Sequence, residues 1–305
     1  MHKNKAKIPL ESRNYATIFN TKITSTSISS VLRFVYQSIG NLDNFEAETK
    51  KFLIVTPNPE QVMRARVDPV YSEILNSADI SVPDGIGLIA ARKFLRLPTT
   101  KNILVKPILY FAQGLGVGFS VLFDREWLQD DFRVIRGREL FLELIKLANK
   151  KKWRVVLVGD RKESAQKALV KLVLNYKQIN LHACAGPNLD EDANPKTKAD
   201  REIEKKAIEK INKISPQLLF VGFGAPRQEK WLHKWWKDLK IGGAMVVGGT
   251  FNYVSGKNRL PPKWVADMGL EWLWRLFTGS QAADRVLKAF PSFALKVYLY
   301  KLTGF

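Results

Sequence analysis

Residues 218–231 read LLFVGFGAPRQEKW, four apolar residues, a glycine-rich step, then a polar start to a helix. Leu218 to Val221 has the continuous apolar character of a strand buried on both faces. Gly222-Phe223-Gly224-Ala225-Pro226 is punctuation, and Gln228 onward opens a helix. The same corner recurs outward in both directions. Strands are expected at 52–56, 80–83, 154–158, 179–183, 218–222 and 244–248. Helices are expected at 59–75, 85–95, 139–150, 162–174, 198–214 and 228–237. Strands alternating with helices predict an α/β fold: a mostly parallel, Rossmann-like sheet with helices on both faces.

Two segments break the rhythm. Residues 93–136 insert between regular units, and within them 104–123 carries one charge, Lys106, with Pro107 and the glycines Gly114, Gly116 and Gly118. Twenty largely apolar residues reach membrane-spanning length. The glycines and proline favour a re-entrant or interfacial hairpin flanked by Arg92, Lys93, Arg96 and Lys101, against an extra core layer as the alternative. The second is the stretch from Trp264 onward, where aromatic and basic residues alternate (Phe290, Phe293, Leu295, Tyr298 and Leu299 with Lys288, Lys296 and Lys301), a pattern suited to an anionic lipid surface. The expected organisation is an α/β domain over 1–263 and a C-terminal, membrane-proximal helical appendage over 264–305.

Lys and Arg number 49 against 29 acidic residues, a net charge of +20, which points to nucleic acid, anionic lipid or phosphorylated small molecules as partners. A nucleic-acid-binding protein without enzymatic activity is the competing reading, and it lacks helix-turn-helix, RNP or Arg-rich signatures. An oxidoreductase would need a GxGxxG fingerprint, which is absent. The one cysteine, Cys184, excludes an internal disulfide framework and reads as a buried thiol. The first residues are basic and polar without an apolar core of signal-peptide length, so a cytoplasmic location is expected.

In open α/β sheets ligands bind outside the carboxyl ends of the strands, which directs attention to five loops. Thr56-Pro57-Asn58-Pro59-Glu60 offers Thr56 and Asn58, each able to cap the next helix or hydrogen-bond a sugar. Pro83-Asp84-Gly85 points a carboxylate into the crevice, either as a helix N-cap or as a general base worth about 10²–10⁴ in rate. Gly222 and Gly224 let backbone approach a phosphate at a helix N-terminus, Arg227 and Gln228 add side chains, and Gly248-Gly249-Thr250 repeats the arrangement one strand later.

These residues carry a resemblance. TPNPE at 56–60, PDGIG at 83–87, GFGAPRQEKW at 222–231, VGGTFNYVSGK at 247–257 and GLEWLWRL at 269–276 are similar, in order and spacing, to the WecG/TagA/CpsF glycosyltransferase family. The likeness runs from about residue 15 to the end, apart from the insertion. It implies a metal-independent, inverting enzyme without a cofactor. The implied donor is UDP-N-acetylmannosamine or its uronic acid, and the implied acceptor is N-acetylglucosamine on undecaprenyl diphosphate. The products feed teichoic acid, enterobacterial common antigen or capsule. It implies Asp84 as the base, Thr56, Asn58 and Gln228 as substrate contacts, and Arg275 and Arg285 of the appendage as diphosphate ligands. Such a protein works at the cytoplasmic face of the membrane as a peripheral protein. Homo-oligomerisation stays open.

The sequence also departs from the family. Where the family reads EPxR, residues 278–282 read Thr-Gly-Ser-Gln-Ala, so the diphosphate must rely on Arg275, Arg285, Arg259 or Lys288. Arg136 or Arg138 corresponds to a family arginine before helix 139–150. Asp190-Glu191-Asp192 matches a metal-binding DxD but reads as a solvated loop. His182, His233 and the tryptophans Trp231, Trp235 and Trp236 read as structural. Lys150-Lys151-Lys152 complements a helix dipole.

Overall fold

The computed structural model of the protein describes residues 15–40, 51–129, 132–160, 162–268, 270–279 and 291–304. An antiparallel hairpin, β1 (Tyr15–Ile18) and β2 (Thr21–Thr24), precedes a six-stranded sheet. That sheet comprises β3 (Phe52–Val55), β4 (Ile80–Ser81), β5 (Arg154–Gly159), β6 (Asn180–Ala185), β7 (Leu218–Val221) and β8 (Gly243–Val246). They lie in the order β4-β3-β8-β7-β5-β6, and every neighbouring pair is parallel.

The apolar runs follow from double coverage. On β5, Val155 and Leu157 join one buried cluster while Val156 and Val158 join the other, so both faces are dry. Phe141 and Leu144, on the Gly137–Lys151 helix, cover the first face together with Phe251, and Phe141 meets Phe220 of β7 edge-on at 4.8 Å. Trp231 and Tyr71 cover the second. Each of the six predicted sheet strands is present, within a few residues at its ends.

Three features differ from the sequence reading. The helix expected over 59–75 is two, Pro59–Ala65 and Pro69–Ser77, because Asp68 caps the second by accepting from Tyr71 N at 3.0 Å and Pro69 starts it. The β1–β2 hairpin and the Ile28–Ile39 helix are additions to the expected elements. The expected hairpin in the insertion is instead one continuous 19-residue helix, Val105–Phe123. Pro107 falls in its first turn, where the missing N–H has no intrahelical partner to lose. By length and composition this helix could cross a membrane.

The insertion helix packs against the Ile86–Arg96 helix and the last helix, Ser292–Thr303. Tyr110 and Val117 face inward, whereas Ile108, Phe111, Leu115 and Phe119 form an outer row with 61–72% exposure. Two residues expected at a lipid surface are used internally. Arg92 is buried over the Phe132 ring at 3.9 Å. Lys301 is buried, donating to Phe94 O at 2.6 Å, Leu97 O at 3.0 Å and Gln113 Oε1 at 2.7 Å. Burial lowers the Lys301 pKa to about 8. Phe293 is buried too, while Leu295 and Leu299 stay exposed. Lys288 and Phe290 lie outside the described residues.

Candidate active site

The loop leaving β3 is fixed by a reciprocal capping box. Asn58 Oδ1 accepts from Gln61 N at 3.0 Å, and Asn58 N donates to Gln61 Oε1 at 2.9 Å. The capping reading of Asn58 thus holds. The residue also lines a cavity of about 660 Å³ that opens beside Asp84.

Asp84 follows β4, held by its own N–H, which donates to Pro57 O at 2.9 Å. Gly85, at φ +101°, turns the chain into the Ile86–Arg96 helix in a conformation that L side chains avoid. That helix has no side-chain cap, so Asp84 is not its N-cap. The half-buried carboxylate faces the Gly137–Lys151 helix start, and Gly137 N approaches its Oδ1 at 3.4 Å. Thr56 belongs to the same corner: a Cβ added at Gly137 would meet Thr56 Oγ1 at 3.0 Å. The structure thus brings Thr56, Asn58 and Asp84 together at the carboxyl ends of neighbouring strands β3 and β4.

The loops after β7 and β8 form a second group, and Gln228 joins them. Its Oε1 accepts from Gly224 N at 3.2 Å and Gly248 N at 3.1 Å, and its Nε2 donates to Glu229 Oε1 at 2.9 Å. Gln228 is buried. Its amide shapes the two loops. Gly222 is required by packing, since a Cβ there would meet Phe251 at 2.7 Å and Gly248 O at 2.9 Å. Gly224 has φ +86°, Gly249 is exposed, and Arg227 begins the Arg227–Trp235 helix.

Sequence reasoning missed the group that joins these two halves. Glu229 is fully buried, and its Oε1 accepts from Gln61 Nε2 at 3.2 Å as well as from Gln228. A chain of hydrogen bonds therefore runs from Asn58 through Gln61, Glu229 and Gln228 to Gly224 and Gly248. Burial pushes the Glu229 pKa up to about 7, against the hydrogen bond from Gln228 that favours the ionised form. A charged residue inside a motif that reads as a solvated helix start gives no signal of this in the sequence.

Arg136 and Arg138 are gathered by Glu271. Arg138 binds it through both guanidinium nitrogens, at 3.0 and 2.9 Å, and Arg136 Nε lies 2.8 Å from Glu271 Oε1. Arg136 also donates to Ala266 O at 3.0 Å. Burial works to lower the Arg138 pKa, but Glu271, with Asp84 and Glu139 behind it, holds it above its ordinary value. Arg136 and Glu271 both line the cavity with Asp84. Glu271 lies within the quoted GLEWLWRL motif, but nothing in the sequence assigns it these partners. Arg275 lies on the Glu271–Phe277 helix, but its side chain is outside the described residues, as is the whole of Arg285.

The remaining residues behave structurally. Asp190 Oδ1 accepts from the N–H groups of Asp192 and Asn194 at 2.9 and 2.8 Å, closing a turn. Glu191 pairs with Arg64, and Asp192 lies 2.8 Å from Lys230 Nζ, which also holds Asp68 at 2.8 Å. Among the described residues no three His, Cys, Asp or Glu side chains converge as a metal site. Trp231 and Trp235 both donate to Glu204 Oε1 at 3.0 Å. Burial raises the Cys184 thiol to about 11.

A parallel α/β sheet with a carboxylate, glycine-rich corners and arginines at its carboxyl edge has the equipment of a group-transfer enzyme acting on a phosphorylated substrate. The model of the glycosyl transferase WecG/TagA/CpsF family matches residues 16–108 and 115–304, and the chain belongs to that family. The break in the match falls inside the insertion helix. A Bacillus subtilis relative named N-acetylglucosaminyldiphosphoundecaprenol N-acetyl-beta-D-mannosaminyltransferase is 26% identical over 286 residues, 92% of this chain and 90% of its own. Relatives of the same name from Staphylococcus aureus (26% over 264 residues, 86% of each chain) and Bacillus spizizenii (27% over 240 residues, 79% of this chain and 76% of its own) are similar as well.

Proposed function

We propose that this chain transfers N-acetylmannosamine, or its uronic acid, from a UDP donor to N-acetylglucosamine carried on a polyprenyl diphosphate. The observation that carries the reading is the half-buried Asp84 carboxylate in a cavity shared with Asn58 and Arg136. The acceptor hydroxyl attacks the anomeric carbon from the face opposite the leaving group. The new C–O bond forms as the bond to UDP breaks, the configuration inverts, and the hydroxyl proton passes to Asp84. The names of the relatives supply the acceptor class and the transferred sugar.

The remaining roles follow from position for the described residues and from the family motif for Arg275 and Arg285. Thr56 and Asn58 meet the sugars beside Asp84. Gly222, Gly224, Arg227 and Gly249 border the donor diphosphate at the start of the Arg227–Trp235 helix, where amide donors and the helix dipole favour anions. Gln228 acts by holding those loops. Arg275 and Arg285 take the leaving diphosphate, and guanidinium forks do so without a metal ion. The protein works as a peripheral enzyme on the cytoplasmic face of the membrane, and the uses of the product are teichoic acid, capsule or a related surface polymer.

Incubation with a panel of UDP-sugars and a lipid-diphosphate N-acetylglucosamine analogue, read by mass spectrometry with and without EDTA, tests this. A product heavier by one N-acetylmannosamine or its uronic acid, formed equally with EDTA, is expected. No product from any donor would overturn the reaction. Product only with added Mg²⁺ or Mn²⁺ would overturn the metal-independent form.

A further inference from the structure

The cavity beside Asp84 extends well beyond the catalytic loops. It follows the Ile86–Arg96 helix past Gly87 and Ala90 to Phe94, a rise of about 12 Å at 1.5 Å per residue. At the Asp84 end its wall carries Arg136, paired with Glu139 and Glu271, and Arg125 and Glu60 line the cavity as well. Toward Phe94 the wall is apolar, made by Gly114 and Val117 of the insertion helix and Val297 of the last helix. Gly114 marks that end, because a Cβ added there would lie 3.8 Å from the Phe94 ring. The insertion helix then runs back toward Asp84 and ends beside Arg125, whose Nε donates to Val121 O at 3.1 Å. The cavity thus passes from a charged end, where carboxylates and guanidinium groups stand together, to hydrocarbon.

We infer that this channel holds the first isoprene units of the acceptor lipid, and that the insertion helix is the wall between the catalytic site and the bilayer. The inference rests on the acceptor class proposed above. A sugar linked through a diphosphate to a hydrocarbon chain presents a hydroxyl, then negative charge, then apolar surface. The channel presents a charged end that contains guanidinium groups, then an apolar stretch, and is continuous with the site of the base. A volume of about 660 Å³ lies within the roughly 300–1,000 Å³ of small-molecule pockets, enough for the head of such a lipid and the start of its chain. The rest of the chain stays in the membrane. The outer row of the same helix, Ile108, Phe111, Leu115 and Phe119, presents the apolar surface that the membrane would cover. One helix thus faces lipid on two sides, a bilayer outside and a single chain within.

Gly118 gives the test. It lines the channel, and a Cβ added there meets nothing within 4 Å. A Cβ at Gly118 thus enters open space, so Gly118→Leu projects its side chain from there into the channel while replacing a helix glycine by a better helix former. Two acceptors with the same N-acetylglucosamine diphosphate head are compared in detergent micelles, one on a long polyprenyl chain and one on a short alkyl chain. The ratio of kcat/KM, long over short, is expected to fall at least about tenfold in Gly118→Leu, a change of roughly 1.4 kcal/mol. An unchanged ratio overturns the channel while leaving the proposed reaction standing. A long acceptor bearing a diazirine on its first isoprene unit gives a readout independent of turnover. Crosslinks to 105–123 or 292–303 support the channel, and crosslinks confined to other segments overturn it. Labelling of those two helices in a protein that transfers to neither acceptor would sink the proposed reaction and keep the lipid site.

Discussion

Arg138 and Glu271 meet fork to fork, Nη1 to Oε2 at 3.0 Å and Nη2 to Oε1 at 2.9 Å, across 133 residues of chain. Arg138 stands one residue beyond Gly137, whose N–H faces Asp84. Glu271 opens the Glu271–Phe277 helix, which also carries Arg275. The pair therefore fixes the distance between Asp84 and the C-terminal helices through a planar, directional contact that a lysine could not reproduce.

Glu271→Gln should lower stability by about 1–3 kcal/mol, the usual range for a hydrogen-bonded charged group that loses its partner while partly buried. Urea denaturation measures it. Adding Arg138→Gln to that variant should lower stability little further, because both changes break one interaction. Fully additive losses would show that the two side chains are not coupled.

Asp84→Asn should keep the fold and reduce turnover at least about 10²-fold, since the amide cannot take the proton. Circular dichroism and single-turnover transfer on the same sample decide it. Near-normal turnover in a folded Asp84→Asn variant removes Asp84 from the mechanism.

Glu229 predicts a pH dependence of opposite sign to that of a salt-bridged carboxylate. Its pKa of about 7 lies above the ordinary 4.5, so the native state keeps a proton that the unfolded chain releases. This contribution is fully present below pH 4.5 and is lost as pH rises through about 7. Glu229→Gln, which stays neutral throughout, should match the wild type below pH 4.5. It should exceed the wild type by up to about 3 kcal/mol above pH 8, at 1.36 kcal/mol per pKa unit. A constant difference between the two proteins from pH 5 to 8 would mean that Glu229 does not titrate in this window.

Much of this is legible in the sequence, for physical reasons that also explain the rest. Val155 to Val158 reads as a strand because burial on both faces demands an unbroken apolar run. Asp84 reads as a site residue because Pro83 and Gly85 confine it to a strand exit. The break at Pro69 is also readable, since Asp68-Pro69 is a helix start signal, but the apolar period runs across it and predicts one helix. Glu229, Glu271 and Lys301 are not readable. Each is a charged residue in a surface-like pattern, and only partners far along the chain (Gln61, Arg138, Phe94) give it an internal role. The insertion misleads because intrinsic propensity counts glycines against a helix that contacts with Tyr298 and Lys301 hold in place.

Lys301→Met should release the last helix from the insertion, leaving Phe94 O and Leu97 O without this donor. Hydrogen exchange over 292–303 should speed up while that over β5 and β7 stays protected. Unchanged exchange in the last helix would mean that the apolar contacts of Phe293 and Val297 suffice to hold it.

The outer row of the insertion helix supplies the last prediction. Ile108, Phe111, Leu115 and Phe119 recur at three- and four-residue steps on the face opposite buried Tyr110 and Val117. Burying a Phe or Leu side chain is worth about 1.5–3 kcal/mol, so three such residues in a bilayer outweigh the roughly 1 kcal/mol each that exposed Arg96 and Lys101 gain near anionic lipid. Replacing Phe111, Leu115 and Phe119 by serine should therefore abolish most flotation with liposomes. High salt should weaken wild-type flotation only in part. Because these side chains already face water in the protein alone, the triple variant should melt no lower than the wild type. Transfer to a soluble short-chain acceptor should survive in it, whereas transfer to acceptor embedded in liposomes should fall in step with flotation. Wild-type flotation by the serine variant would show that another surface holds the membrane. Binding lost entirely in high salt would show that the basic residues dominate and that the apolar row does not enter the bilayer.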